Sequence, residues 1–230
     1  MKIVGLQKLT LLDFPGHVGC TVFIGKCNFK CPFCYNASLI GDDSKDFISE
    51  EFLFSFLEKR KGILEGVAIT GGEPLIHGED IKNLIIKIKS LGYLVKLDTN
   101  GSNPSLLEEL IDEKLVDYVA MDMKNSYEKY HLTSGTKIEV KTIQKSVEIL
   151  LKNKVNYEFR TTVSKPLHST EDLRKIGEQI KGAKRYFIQN YQYQDSVLDK
   201  SLKPLTKEEL YEAIEVVKTN VENVCLRGIE

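Results

Sequence analysis

Residues 67–111 read VAITGGEPLIHGEDIKNLIIKIKSLGYLVKLDTNGSNPSLLEELI, and their punctuation decides the fold. Val67–Thr70 and Leu94–Thr99 are short, near-continuous apolar runs, the pattern of strands covered on both faces. Between them Ile81, Leu84, Ile85 and Ile88 recur at the helical period from a start near Glu79, and Gly92 suits the helix end. A second helix opens with Asn103 as N-cap and Pro104 at the first helical position, with Leu106, Leu107, Leu110 and Ile111 on one side. The stretch is a strand-then-helix unit given twice.

The same unit recurs on both sides. Val18–Ile24, Tyr118–Met123, Tyr157–Val163 and Arg185–Tyr191 read as further strands. Helices are expected after Ser49 (Phe52, Leu53, Phe56, Leu57), over about Lys141–Lys152, and from Ser169 or Thr170 to Gly182. A last helix has a capping box, Thr206 with Glu209, ahead of Leu210, Ala213, Ile214 and Val217. Six such units favour an α/β fold, a parallel sheet with outer helices and right-handed crossovers. They are too few for a complete eight-stranded barrel, so an incomplete (β/α)6 barrel or a doubly wound sheet remains. In either, ligands sit at the carboxyl ends of the strands. One domain over 1–230 is expected: an N-terminal hairpin at about 1–16, a barrel core at about 17–192, and a C-terminal helix and strand at about 203–229.

The 230 residues are 42% hydrophobic, and 32 Lys and Arg against 33 Asp and Glu leave a net charge of −1. Global disorder and a strongly basic nucleic-acid protein are thereby disfavoured. Apolar runs are too short for a membrane span, and the start of the chain lacks a secretory pattern, so a cytoplasmic protein is expected.

Five cysteines, at 20, 27, 31, 34 and 225, argue against a disulfide framework. Cys20 and Cys225 lie in apolar runs and read as core residues. Cys27, Cys31 and Cys34 form C-x3-C-x2-C directly after the first core strand. Three close thiolates can wrap one compact metal centre; an iron–sulfur cubane normally takes four, so three leave one iron open to substrate. A structural zinc would use the same three with Cys20 or His17, although zinc ligands usually come as two separated pairs. The four histidines show no ligand spacing and read as surface residues.

This cysteine motif, with the aromatic Phe33 before its third Cys, resembles the signature of the radical S-adenosylmethionine (SAM) enzymes. The resemblance implies a [4Fe–4S] cluster on Cys27, Cys31 and Cys34, with SAM at the open iron near Phe33 and Asn36. Gly71-Gly72-Glu73-Pro74 resembles the segment that binds the SAM amino group, with two glycines allowing close backbone approach.

Asp98-Thr99-Asn100-Gly101 followed by Asp122-Met123-Lys124 resembles, more narrowly, the enzymes that activate glycyl-radical enzymes. There the counterpart of Lys124 meets the SAM carboxylate. Asp98, Thr99 and Asp122 are the expected holders of a monovalent cation. Arg160 is expected either on the SAM carboxylate or paired with Glu158. Gln192 stands where such enzymes often carry a His, near the ribose or adenine. Leu11–His17 resembles a D-G-P-G segment that faces the peptide substrate, which makes Asp13 and Gly16 substrate candidates; Phe14 replaces a Gly of that segment. The opening Gly5-Leu6-Gln7-Lys8 and the short length most resemble the activating proteins of anaerobic ribonucleoside-triphosphate reductase.

The implied activity is reductive cleavage of SAM and transfer of the resulting radical to a glycine of a partner enzyme. Implied partners are a glycyl-radical enzyme and a low-potential electron donor such as flavodoxin or ferredoxin, with no nucleic acid or membrane. The alternatives are activation of pyruvate formate-lyase or another glycyl-radical enzyme, a small-molecule radical SAM enzyme such as 7-carboxy-7-deazaguanine synthase, and a non-enzymatic electron carrier or zinc module.

Overall fold

The structure, a computed structural model, describes residues 1–41 and 47–228; position 229, the last of the expected C-terminal segment, lies outside them. The chain divides into two compact units. The first comprises Met1–Asn28, Ser38–Val119 and Lys154–Asn156; the second comprises Phe29–Ala37, Ala120–Asn153 and Tyr157–Glu230. Within each unit the strands follow one another in chain order.

In the first unit β1 (Ile3–Thr10) pairs antiparallel with β2 (Gly19–Ile24). The N-terminal hairpin therefore uses the first core strand as its second arm. β2 runs parallel to β3 (Gly66–Gly71), and β3 to β4 (Leu94–Thr99). α1 (Glu50–Glu58) is capped by Ser49, whose hydroxyl accepts from Phe52 N. α2 (Glu79–Ser90) buries Ile81, Leu84, Ile85 and Ile88, the face that the periodicity predicts. α3 (Pro104–Asp112) is capped by Asn103 through Leu106 N.

β5 (Tyr118–Asp122) begins in the first unit and ends in the second. The second unit adds α4 (Tyr130–Ser134), α5 (Val140–Leu151), β6 (Asn156–Val163), α6 (Thr170–Gln179), β7 (Arg185–Asn190), α7 (Lys207–Lys218) and β8 (Asn223–Arg227). β6, β7 and β8 pair in parallel. Capping boxes open α6 at Ser169–Asp172 and α7 at Thr206–Glu209. The α/β reading holds: apart from β1 the described ladders are parallel, with helices between strands.

Two expectations fail, and one element goes unread. Cys225 is exposed, because β8 ends the sheet and keeps one face in solvent. His168 is buried, 5% exposed, with both ring nitrogens engaged by backbone groups. The single turn of α4 was not foreseen, since five residues carry too little periodicity to read. Cys20 is fully buried, and burial pushes its thiol up to about 12. No helix among the described residues is long and apolar enough to cross a membrane.

Candidate active site

In the first unit, Cys27 follows the carboxyl end of β2, and its loop is fixed by close backbone packing. Gly72 N donates to Ile24 O at 2.8 Å and Glu73 N to Lys26 O at 2.9 Å. A Cβ on Gly72 would lie 2.0 Å from Lys26 O, and one on Gly71 (φ 115°) 2.4 Å from Ile24 O. The two glycines are thus required by the approach of the chain to the Cys27 loop. Lys26 itself sits at φ 72°, and Cys27 N donates to Ile40 O at 3.2 Å. Asn28 bonds Ser102 and Asn100, tying this loop to the carboxyl end of β4.

Glu73 is fully buried. Its carboxylate accepts from Leu75 N at 3.1 Å, Thr99 Oγ1 at 2.7 Å and Asn100 N at 2.6 Å. It caps the short helical turn Pro74–His77 and anchors it to β4. Asp98 bonds Lys96, itself 2% exposed, a partner the sequence reading passed over.

Asp13 and Gly16 belong to the segment between β1 and β2, where Thr10 lies opposite Gly19. That is the amino end of β2, whereas Cys27 and Glu73 follow the carboxyl ends of β2 and β3. The Asp13 carboxylate accepts from Thr21 Oγ1 at 2.5 Å. Phe14, 2% exposed, fills the space that Gly66 leaves: a Cβ there would meet its ring at 2.7 Å.

In the second unit, Cys31 is buried and Cys34 half-buried. Lys30 N donates to Ser134 O at 2.8 Å, against the left-handed Gly135 that ends α4. Asp199 N donates to Pro32 O at 3.0 Å. Tyr35 stacks on Tyr191 (13° between planes), and its hydroxyl accepts from the backbone N–H of Gln192 at 2.8 Å. Gln192 is exposed. Burial pushes the Cys31 thiol up to about 11 and raises that of Cys34; the Lys124 cation opposes both shifts, and the Asn36 backbone N–H favours the Cys34 thiolate.

The charged cluster lies beside these thiols. Lys124 Nζ donates to Asp122 Oδ2 at 3.0 Å and Arg160 Nε to Asp122 Oδ1 at 2.8 Å. Burial opposes ionisation of Asp122, but the Arg160 and Lys124 cations overcome it and hold the carboxyl well below its usual range. Lys124 is likewise disfavoured by burial and rescued by Asp122 and Cys31, which together raise it. Arg160 therefore pairs with Asp122; Glu158 takes Arg227 instead, at 3.0 Å. Two cations share one carboxylate, and the Lys124 ammonium also stands near the Cys31 thiol. Phe33 lies 5.9 Å from Lys124 Nζ.

Among the described residues no three His, Cys, Asp or Glu side chains are grouped for a single metal ion. A cubane carries each cysteine on a different iron, so its ligands need not meet at one point.

Residues 21–178 match the radical SAM superfamily. A Methanocaldococcus jannaschii protein provisionally named a glycyl-radical enzyme activating enzyme is 32% identical, covering 99% of this chain and 96% of that protein. The pyruvate formate-lyase-activating enzyme of Clostridium pasteurianum is 29% identical over 54% of this chain and 52% of its own length. The crystal structure of Streptococcus suis SuiB bound to S-adenosylmethionine has the same fold (TM-score 0.69, 19% identity, 89% of this chain and 49% of that one).

Proposed function

This chain belongs to the radical SAM superfamily, in the group of activating enzymes, and from that premise we propose that it generates a glycyl radical on anaerobic ribonucleoside-triphosphate reductase. The observation that carries the SAM site is the Asp122 carboxylate shared between Lys124 and Arg160. The Lys124 ammonium, set by Asp122 near Cys31 and Cys34, suits the SAM carboxylate, and Phe33 beside it offers an apolar wall. Cys27, Cys31 and Cys34 would hold the cluster. The donor set fits it: Cys31 and Cys34 are held at fixed positions on one anchored loop, and Lys124 lowers the cost of their ionisation. When bound, cluster and SAM supply the one-electron chemistry that removes a hydrogen atom from a glycine Cα, with electrons from a donor such as flavodoxin or ferredoxin.

The Gly71-Gly72-Glu73 turn is the proposed seat of the SAM amino group, with Glu73 holding the turn in place. Asn36, Thr99 and Gln192 are proposed to line the rest of the SAM site. A monovalent cation finds less support, because Lys96 already neutralises Asp98, while Lys124 and Arg160 neutralise Asp122. Asp13 and Gly16 find less support as substrate contacts: only their motif speaks for them, since they stand at the amino end of β2 and Cys27 follows its carboxyl end.

The test is anaerobic incubation of reconstituted protein, SAM and reductant with the purified reductase, followed by electron paramagnetic resonance. A glycyl-radical doublet is expected. A doublet on pyruvate formate-lyase and none on the reductase would overturn the choice of partner.

A further inference from the structure

The segment that carries Lys124 is held at three successive carbonyls. Asp122 O accepts from the Tyr130 hydroxyl at 3.3 Å, Met123 O from Thr161 Oγ1 at 2.7 Å, and Lys124 O from His168 Nε2 at 2.9 Å. The third contact is the informative one, because its donor is defined by the opposite side of the ring. Ser164 N–H donates to His168 Nδ1 at 3.2 Å, so that nitrogen is bare and the proton sits on Nε2. Burial favours this neutral form and lowers the imidazole pKa. The Ser164 hydroxyl is buried with no hydrogen-bond partner among the described residues. The turn 164–168 is therefore closed by the histidine and by His168 N donating to Ser164 O at 2.9 Å.

The same turn grips the Lys124 segment a second time, where Asn125 Nδ2 donates to Leu167 O at 3.0 Å. The His168 ring also packs on Phe33, with centroids 6.1 Å apart and planes tilted by 50°. Phe33 lies between Cys31 and Cys34 in the chain and under the Lys124 ammonium. One buried ring thus touches both the main chain of Lys124 and the aromatic of the cysteine loop.

We propose that His168 is a positioning residue for the anion site, its Nε2–H and ring setting the Lys124 ammonium against Asp122 and Phe33. The proposal rests on the reading of Lys124 as a contact to the SAM carboxylate. His168 takes no part in the chemistry itself.

Three variants separate its contacts. His168→Gln keeps a donor near the Nε2 position, His168→Asn keeps an acceptor near the Nδ1 position, and His168→Phe keeps only the ring. SAM affinity of the reconstituted proteins is measured by calorimetry, with iron content per chain. Side-chain nitrogen resonances of the cluster-free wild type report the tautomer. The expected results are a proton on Nε2, unchanged iron content, affinity close to wild type for Gln, and a loss of about tenfold for Asn and Phe. If His168→Phe does not fold, the Gln and Asn pair alone decides. A proton on Nδ1, equal affinities across the variants, or equal loss of iron in all of them would overturn the proposal. A wild type that takes up iron yet does not bind SAM would instead overturn the reading of Lys124 from which it starts.

Discussion

Glu73 and Asp122 both stand at the carboxyl end of core strands, and both are carboxylates flanked by motif residues, yet they are held in opposite ways. Glu73 is fully buried and accepts from neutral donors: two backbone N–H groups and the Thr99 hydroxyl. Asp122 is half-buried and accepts from two cations, Lys124 and Arg160. The first arrangement uses its charge on the fold, joining the Gly71-Gly72 turn to β4. The second holds two cations around one carboxylate and sets the Lys124 ammonium beside the cysteine loop. A strand-end acid is thus a structural clamp or half of a binding site according to the charge of its donors, which the sequence motif does not reveal.

The largest effect should come from Glu73→Ala. It strands three donors that the carboxylate now satisfies, and we expect about 4 kcal/mol of lost stability in urea unfolding. A loss under about 1 kcal/mol would erase the distinction between the two acids. Asp122→Asn should cost less, about 2 kcal/mol, because Lys124 and Arg160 then repel without a counter-charge but keep partial access to solvent. The folded carboxyl lies below its ordinary value of 3.8, so its contribution is present above that pH and fades as pH falls through the lower folded value. The stability gap between wild type and Asp122→Asn should therefore close in strong acid.

Lys124→Met sharpens the comparison by removing one cation while Asp122 keeps Arg160. Stability should change by about 1 kcal/mol or less. Alkylation of Cys31 and Cys34 in the cluster-free protein should slow by about threefold or more, since the cation that favours their thiolates is gone. Unchanged alkylation would detach the charged cluster from the cysteine loop. The smallest effect is the pH dependence of His168. Its folded pKa is below the ordinary 6.5, so the unfolded chain takes up a proton first as pH falls. Stability should decline below about pH 6.5, and His168→Phe should flatten that decline.

Much of this was legible from residues alone. The strand Leu94–Thr99, the start of α2 at Glu79, the Asn103 cap and the Thr206–Glu209 box stand where periodicity and capping chemistry put them. These are local signals, and local physics sets them. The reason for Gly71 and Gly72 was less legible, because it lies in the backbone of Ile24 and Lys26, far away in sequence. The partner of Arg160 was missed for the same reason: proximity in the chain favoured Glu158, whereas the fold supplies Asp122 on another strand. His168 gave no signal at all, since a lone histidine in a loop has no period, and only its two backbone partners reveal its role.

The central claim is that the three cysteines carry a SAM-binding cluster served by the Asp122–Lys124–Arg160 charge arrangement. It is tested most directly by anaerobic reconstitution with iron and sulfide, reduction, and electron paramagnetic resonance with and without SAM, in wild type and Lys124→Met. The account predicts a [4Fe–4S]⁺ spectrum that SAM perturbs in wild type, with 5′-deoxyadenosine released, and the same cluster largely indifferent to SAM in Lys124→Met. A wild type that forms no cluster, or one whose spectrum SAM leaves unchanged, would contradict it.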